Sequence, residues 1–251
     1  MRKPRRRLSR DRLPFLHLLP NMITILGLCA GLTAIRFVMM GRYEFAASLI
    51  IFAALIDGLD GLIARRINAT SQMGAELDSL SDFLNFGVAP GILIYQFALT
   101  GMRDLGWLFV LIYVICCCLR LARFNVSREE PQGVGRPHFT GVPAPAGALL
   151  ALVPLFLTAE GVLNLRQMPW LVGPWLALVA WAMISRLPTP SPKAIRIRRD
   201  QVAPVLIGMV VVGGLVFTRF WLLMILLSGA YVITLGYALI TRKRSGLPDP
   251  Q

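Results

Sequence analysis

Long apolar runs alternate with short polar intervals along this chain. The first run, about Leu18 to Met40, is followed by runs at about Tyr43 to Ile67, Gln72 to Leu99, Leu105 to Asn125, Pro143 to Leu157, Pro169 to Ser185, Ala203 to Thr218 and Phe220 to Thr241. A hydrocarbon core of about 30 Å asks for roughly 20 residues of helix, so the pattern predicts an all-α, polytopic membrane bundle of about eight transmembrane helices. The fifth, sixth and seventh runs are short for that thickness, and a break is expected at Arg219. The first run is too long for a signal-peptide core, and Leu26-Gly27-Leu28-Cys29 is a poor lipoprotein box, so a retained spanning helix is expected there.

One polar interval does not look like a connecting loop. Asp57, Asp60, Glu76, Asp78 and Asp82 are five of the thirteen acidic residues, and they lie at the edges of spanning segments, where ionisable side chains are costly. Asp57, Asp60, Gly61 and Ala64 fall at i, i+3, i+4 and i+7, one helix face; Gly74, Asp78 and Asp82 repeat the i+4 step on a second helix. Small residues on both faces leave room for a bulky anion. Four carboxylates without cationic partners among them would repel one another unless a cation neutralised them, which points to hard, oxygen-ligated metal ions, Mg²⁺ or Mn²⁺.

Composition agrees. Of 251 residues, 56% are hydrophobic and 16% charged, too apolar for an ordinary soluble domain. The formal net charge of +13 follows the membrane flanks. With a cytoplasmic amino terminus, the basic arm (residues 1–17) and the segments 65–71, 120–142, 186–202 and 242–251 carry 21 of the 26 lysines and arginines, as the positive-inside rule requires. Both termini and the aspartate cluster are therefore expected on the cytoplasmic side of an inner membrane. No recognition module accompanies the basic residues, and nucleic-acid binding is not expected. The four cysteines lie in apolar runs without C-x-x-C spacing and read as packing residues. His17 and His138 have no nucleophile or carboxylate pair beside them, which argues against a histidine-based mechanism.

A second polar constellation follows the fourth run. Arg120 and Arg123 stand at i, i+3 at a helix end beside Asn125, and Phe139-Thr140-Gly141-Val142-Pro143-Ala144-Pro145 re-enters the membrane. An arginine fork at membrane depth suits a phosphate or a carboxylate.

The pattern Asp57-x-x-Asp60-Gly61-x-x-Ala64-Arg65, eight residues, Gly74-x-x-x-Asp78-x-x-x-Asp82 resembles the signature of the CDP-alcohol phosphotransferases, integral membrane enzymes of phospholipid synthesis, at all eight of its fixed positions. The resemblance extends from Leu19 to about Lys193. Within the family, Phe86-Gly87-Val88-Ala89-Pro90, the Arg-x-x-Arg-Phe-Asn run and the Phe-Thr-Gly-x-Pro-x-Pro segment are similar to the membrane-spanning members that take L-serine as acceptor; Asn85 departs from the small hydroxyl residue of that pattern.

The resemblance implies a catalytic membrane domain over 18–200, two added helices over 201–241 and a tail at 242–251. It implies transfer of a phosphatidyl group from CDP-diacylglycerol to L-serine with release of CMP, and a homodimer. Asp57 and Asp78 would bridge two metal ions, Asp60 would complete the first and Asp82 the second, with Asp82 also the general base. Gly61, Arg65, Ser71 and Gly74 would line the nucleotide and phosphate pocket; Arg120, Arg123 and Asn125 would hold the acceptor. Asn21 and Thr24 read either as residues that help hold the nucleotide, as the resemblance implies, or as a helix cap. Other acceptors (glycerol 3-phosphate, inositol, choline) remain alternatives, as does a cation transporter, although its expected midplane site and internal repeats are not evident.

Overall fold

The computed structural model describes residues 19–67, 72–129, 139–185, 188–189 and 202–245. The basic arm, both histidines and most of the two basic loops at 130–138 and 190–201 lie outside them. The described chain is almost wholly helical: α1 (Leu19–Met39), α2 (Tyr43–Ile67), α3 (Gln72–Asp82), α4 (Ala89–Ile94), α5 (Asp104–Glu129), α6 (Ala144–Ala151), α7 (Val153–Ala159), α8 (Pro169–Ile184), α9 (Val202–Thr218) and α10 (Phe220–Ser245). A two-residue antiparallel ladder pairs Phe139 with Thr189 and Thr140 with Pro188.

α1 and α2 form a tight antiparallel hairpin. Gly41 makes its turn in the left-handed region (φ 74°), which only glycine adopts without cost, and the Arg42 and Gly41 amides close back on the Phe37 and Val38 carbonyls. The buried face of α1 carries Gly27, Ala30, Gly31 and Ala34, the small residues that let membrane helices approach closely. At Gly31 that approach is obligatory, because a Cβ there would collide with the Asn85 side chain.

Two prolines shape the remaining core. Pro90 has no N–H to give the Phe86 carbonyl, and the chain from Phe83 to Val88 widens into a π-helix; the buried Tyr113 hydroxyl of α5 donates to that carbonyl at 2.6 Å instead. Pro154 likewise leaves the Leu150 carbonyl free, and the Trp175 indole of α8 donates to it at 2.8 Å. Both of these carbonyls thus receive a hydrogen bond from a side chain of a neighbouring helix, as a membrane interior without water demands.

Five helices among the described residues are long and apolar enough to cross a membrane: Leu19–Met39, Tyr43–Ile63, Gln72–Met102, Asp104–Ser127 and Phe220–Tyr237. Pro154 splits the run expected over Pro143 to Leu157 into α6 and α7. α8 has 16 residues, about 24 Å at the usual rise, and α9 offers only Gly208–Thr218 as described apolar helix. The break at Arg219 is present, with the guanidinium 2.7 Å from Glu160. Large apolar side chains such as Met39, Phe217 and Ile233 stand fully outward, a surface suited to lipid.

Candidate active site

Three of the four carboxylates predicted to converge do so, and the fourth, Asp82, lies beside Asp57. Ligand oxygens of Asp57, Asp60 and Asp78 all lie within 4.8 Å of one another, and Asp57 is in hydrogen-bonding range of both Asp78 and Asp82. The reason is local: the i, i+3 step on α2 and the i, i+4 step on α3 put each pair on one helix face, and both helices pack on α1, which turns those faces together. Asp60 is the most enclosed, 4% exposed. An all-carboxylate oxygen set of this size is the donor chemistry of a hard divalent cation, so the residues present fit such an ion.

Thr24 explains the enclosure of Asp60. It lies more than a turn inside α1, so it is not a helix cap; its hydroxyl is 2.7 Å from Asp60 Oδ2 and 3.0 Å from the Pro20 carbonyl. Asn21, three residues earlier on α1, is half-buried. Gly61 and Gly74 follow the same two helices beside the carboxylates and are half-buried too. The Arg65 side chain and Ser71 lie outside the described residues.

Behind the carboxylates runs a line of hydrogen bonds absent from the motif. Asn85 Nδ2 donates to Ser81 Oγ at 3.1 Å, and Ser81 Oγ approaches the Thr24 carbonyl at 3.5 Å. Asn85 is thus packed at the α1 interface and 1% exposed. Ser79, next to Asp78, receives a 2.9 Å hydrogen bond from Asn125 Nδ2, which ties α3 to α5. Ser79 and Ser81 stand within the acidic stretch, yet serines between carboxylates are too common to single out; Tyr113 carried no sequence signal at all.

The two arginines part company. Arg123 is exposed and its Nη1 donates at 3.0 Å to the Ile184 carbonyl, where a cation suits the last turn of α8. Arg120 turns inward, half-buried, within electrostatic range of Asp82 and Cys117. One end of the aspartate cluster thus meets Thr24 and the other meets Arg120.

A cavity of about 580 Å³ lies among the turns Gly41–Tyr43 and Thr158–Ala159, with Arg42 and Arg166 in its wall. No carboxylate of the aspartate cluster lines it. Arg166 sits over the Tyr43 ring at 5.3 Å and Arg42 beside Phe37 and Phe45.

Similarity to known proteins meets this geometry. Residues 17–185 match the family model for CDP-alcohol phosphatidyltransferase. Two proteins named CDP-diacylglycerol–serine O-phosphatidyltransferase are similar to this chain: that of Mycobacterium leprae (strain TN), 41% identical over 175 residues, 69% of this chain and 58% of the relative, and that of Mycobacterium bovis, 33% identical over 230 residues, 91% of this chain and 80% of the relative. A Bacillus subtilis protein of the same name is 40% identical over 136 residues, 54% of this chain and 74% of its own length. The match covers α1 to α8 and with them Asp57, Asp60, Asp78 and Asp82, and the chain belongs to the CDP-alcohol phosphatidyltransferase family.

Proposed function

We propose that this chain transfers the phosphatidyl group of CDP-diacylglycerol to the hydroxyl of L-serine, forming phosphatidylserine and CMP. The observation that carries the reading is the meeting of Asp57, Asp60 and Asp78, with Asp82 beside Asp57, in a chain whose relatives bear the serine enzyme's name. The family match supports the reaction class, and the relatives' names support the acceptor.

Asp57, Asp60, Asp78 and Asp82 would hold two divalent ions, Mg²⁺ or Mn²⁺, which when bound supply Lewis-acid stabilisation of charge on the pyrophosphate. Asp82 takes the proton of the serine hydroxyl as its oxygen attacks the lipid-bearing phosphorus; the new P–O bond forms as the bond to CMP breaks, and CMP departs with the electron pair. Thr24 orients Asp60, Ser79 and Asn125 hold α3 in register, and Gly61 and Gly74 leave backbone room for the nucleotide, with Asn21, Arg65 and Ser71 as further contacts. Arg120 engages the serine carboxylate, while Arg123 secures α8 beside it. Substrate held between these groups is placed for in-line attack. The site faces the cytoplasm, where serine is dissolved, in a homodimer whose α6 and α7 together make one broken crossing of an eight-span bundle.

The test is an acceptor screen with purified protein in vesicles containing CDP-diacylglycerol. Serine is expected to give phosphatidylserine and CMP in equal amounts. Preferential use of glycerol 3-phosphate, inositol or choline would overturn the acceptor and keep the reaction class; no CMP release with any of them would overturn both.

A further inference from the structure

Four buried side-chain atoms have no hydrogen-bond partner among the described residues: Asn85 Oδ1, which lies against α1, Arg120 Nε of α5, and Ser228 Oγ and Tyr231 OH of α10. Ser228 and Tyr231 are three residues apart on one helix and therefore share a face. Ser228 is 5% exposed, and Tyr231 is half-buried within electrostatic range of Arg120. Arg120 in turn neighbours Asp82.

Arg120, Ser228 and Tyr231 can all donate, and an N–H at Nε can do nothing else. Buried donors are expensive to leave unmade, and in a spanning segment no bulk water relieves them. A guanidinium N–H and two hydroxyls that can donate, none of them partnered, have the composition of an anion site, and a guanidinium edge beside two hydroxyls suits a planar carboxylate. Its position selects which anion. Arg120 neighbours Asp82, while Thr24 meets Asp60, so a ligand held at Arg120 lies at the Asp82 end, near the group proposed to take the proton.

We infer that Ser228 and Tyr231 of α10 join Arg120 in a binding site for the carboxylate of the amino-acid acceptor. α10 lies beyond residues 17–185, so a helix outside the family-matched segment contributes to acceptor choice. The inference rests on the serine reading above and deepens it.

The experiment uses the full chain in vesicles, with Tyr231→Phe, Ser228→Ala, the double variant and Ser228→Thr, and with serine or serinol as acceptor. Serinol replaces the carboxylate with a hydroxymethyl group. Each deletion is expected to raise the serine KM about 3- to 10-fold, the worth of one hydrogen bond, with a smaller change in kcat and in the serinol KM. Ser228→Thr keeps its hydroxyl and should stay near the parent. Thermal unfolding midpoints should hold or rise, since each deletion removes an unpartnered polar atom; a purely structural role would lower them. A serine KM unmoved in the double variant overturns the inference, as does a rise confined to the CDP-diacylglycerol KM, which would mark a lipid-phosphate site. If the parent protein turns over other acceptors and never serine, the serine reading itself fails; if the parent uses serine and the variants bind it equally well, only this inference fails.

Discussion

Thr24 Oγ1 lies 2.7 Å from Asp60 Oδ2 and joins the first helix to the carboxylate cluster of the second. A neutral hydroxyl that donates to a carboxylate fixes which of its oxygens faces the neighbouring groups, and outer groups around metal sites commonly act in this way. Thr24→Val keeps the shape and removes the donor, and it should weaken Mg²⁺ or Mn²⁺ activation by about 10-fold or more. Titrating activity against metal concentration checks this, and Thr24→Ser should restore most of the loss.

Asp82→Asn should cost about 100-fold or more in kcat while leaving CDP-diacylglycerol binding largely intact, because an amide can occupy a ligand position and cannot accept a proton. Parallel measurement of turnover and of nucleotide-lipid binding separates the two. Turnover at the parent rate would remove Asp82 from proton transfer.

Chelation provides an independent test of the cluster. EDTA should abolish CMP release, and added Mg²⁺ or Mn²⁺ should restore it, since carboxylates this close to one another repel a pyrophosphate unless cations intervene. Full activity in excess chelator would refute a two-metal site.

Tyr113→Phe leaves the Phe86 carbonyl buried without its 2.6 Å partner. The expected loss is about 1–3 kcal/mol of stability, the cost of an unsatisfied buried polar group. Thermal unfolding in detergent reads the loss directly, and Trp175→Phe should behave alike at the Leu150 carbonyl.

Gly31→Ala places a methyl group against Asn85. It should destabilise the α1 packing, and Asn85→Ser should relieve the part of the clash made by Asn85 while the contact with Leu84 Cδ2 stays, so the two changes together are less harmful than their sum. Additive losses in a double-mutant cycle would show that the two positions do not share the contact.

Much of this protein follows from its order of residues alone. Apolar runs of twenty or more residues dictate spanning helices, because in lipid the backbone must satisfy itself, and the boundaries of α1, α2, α5 and the start of α10 fall close to where those runs begin and end. The i, i+3 and i, i+4 spacings place Asp57 with Asp60 and Asp78 with Asp82, since helical periodicity is local. Where short apolar runs meet prolines, local pattern no longer settles the length of a crossing: Pro154 divides α6 from α7, and whether the freed carbonyl is tolerable depends on Trp175, a residue 25 positions from Leu150.

Only the tertiary structure decided which side chains reach the carboxylates. Arg120 and Arg123 look alike as a pair and share a helix face, yet one neighbours Asp82 and the other donates to the end of α8, because the helices packed around α5 set which partner each one meets. Thr24 and Asp60 are 36 positions apart and meet through the close approach that the small residues of α1 permit. Ser228 and Tyr231 sit in an apolar span without a motif, more than a hundred residues after Arg120, and acquire meaning only when α10 packs back against the bundle. Periodicity acts along one helix, whereas a site assembled from several helices depends on packing between them.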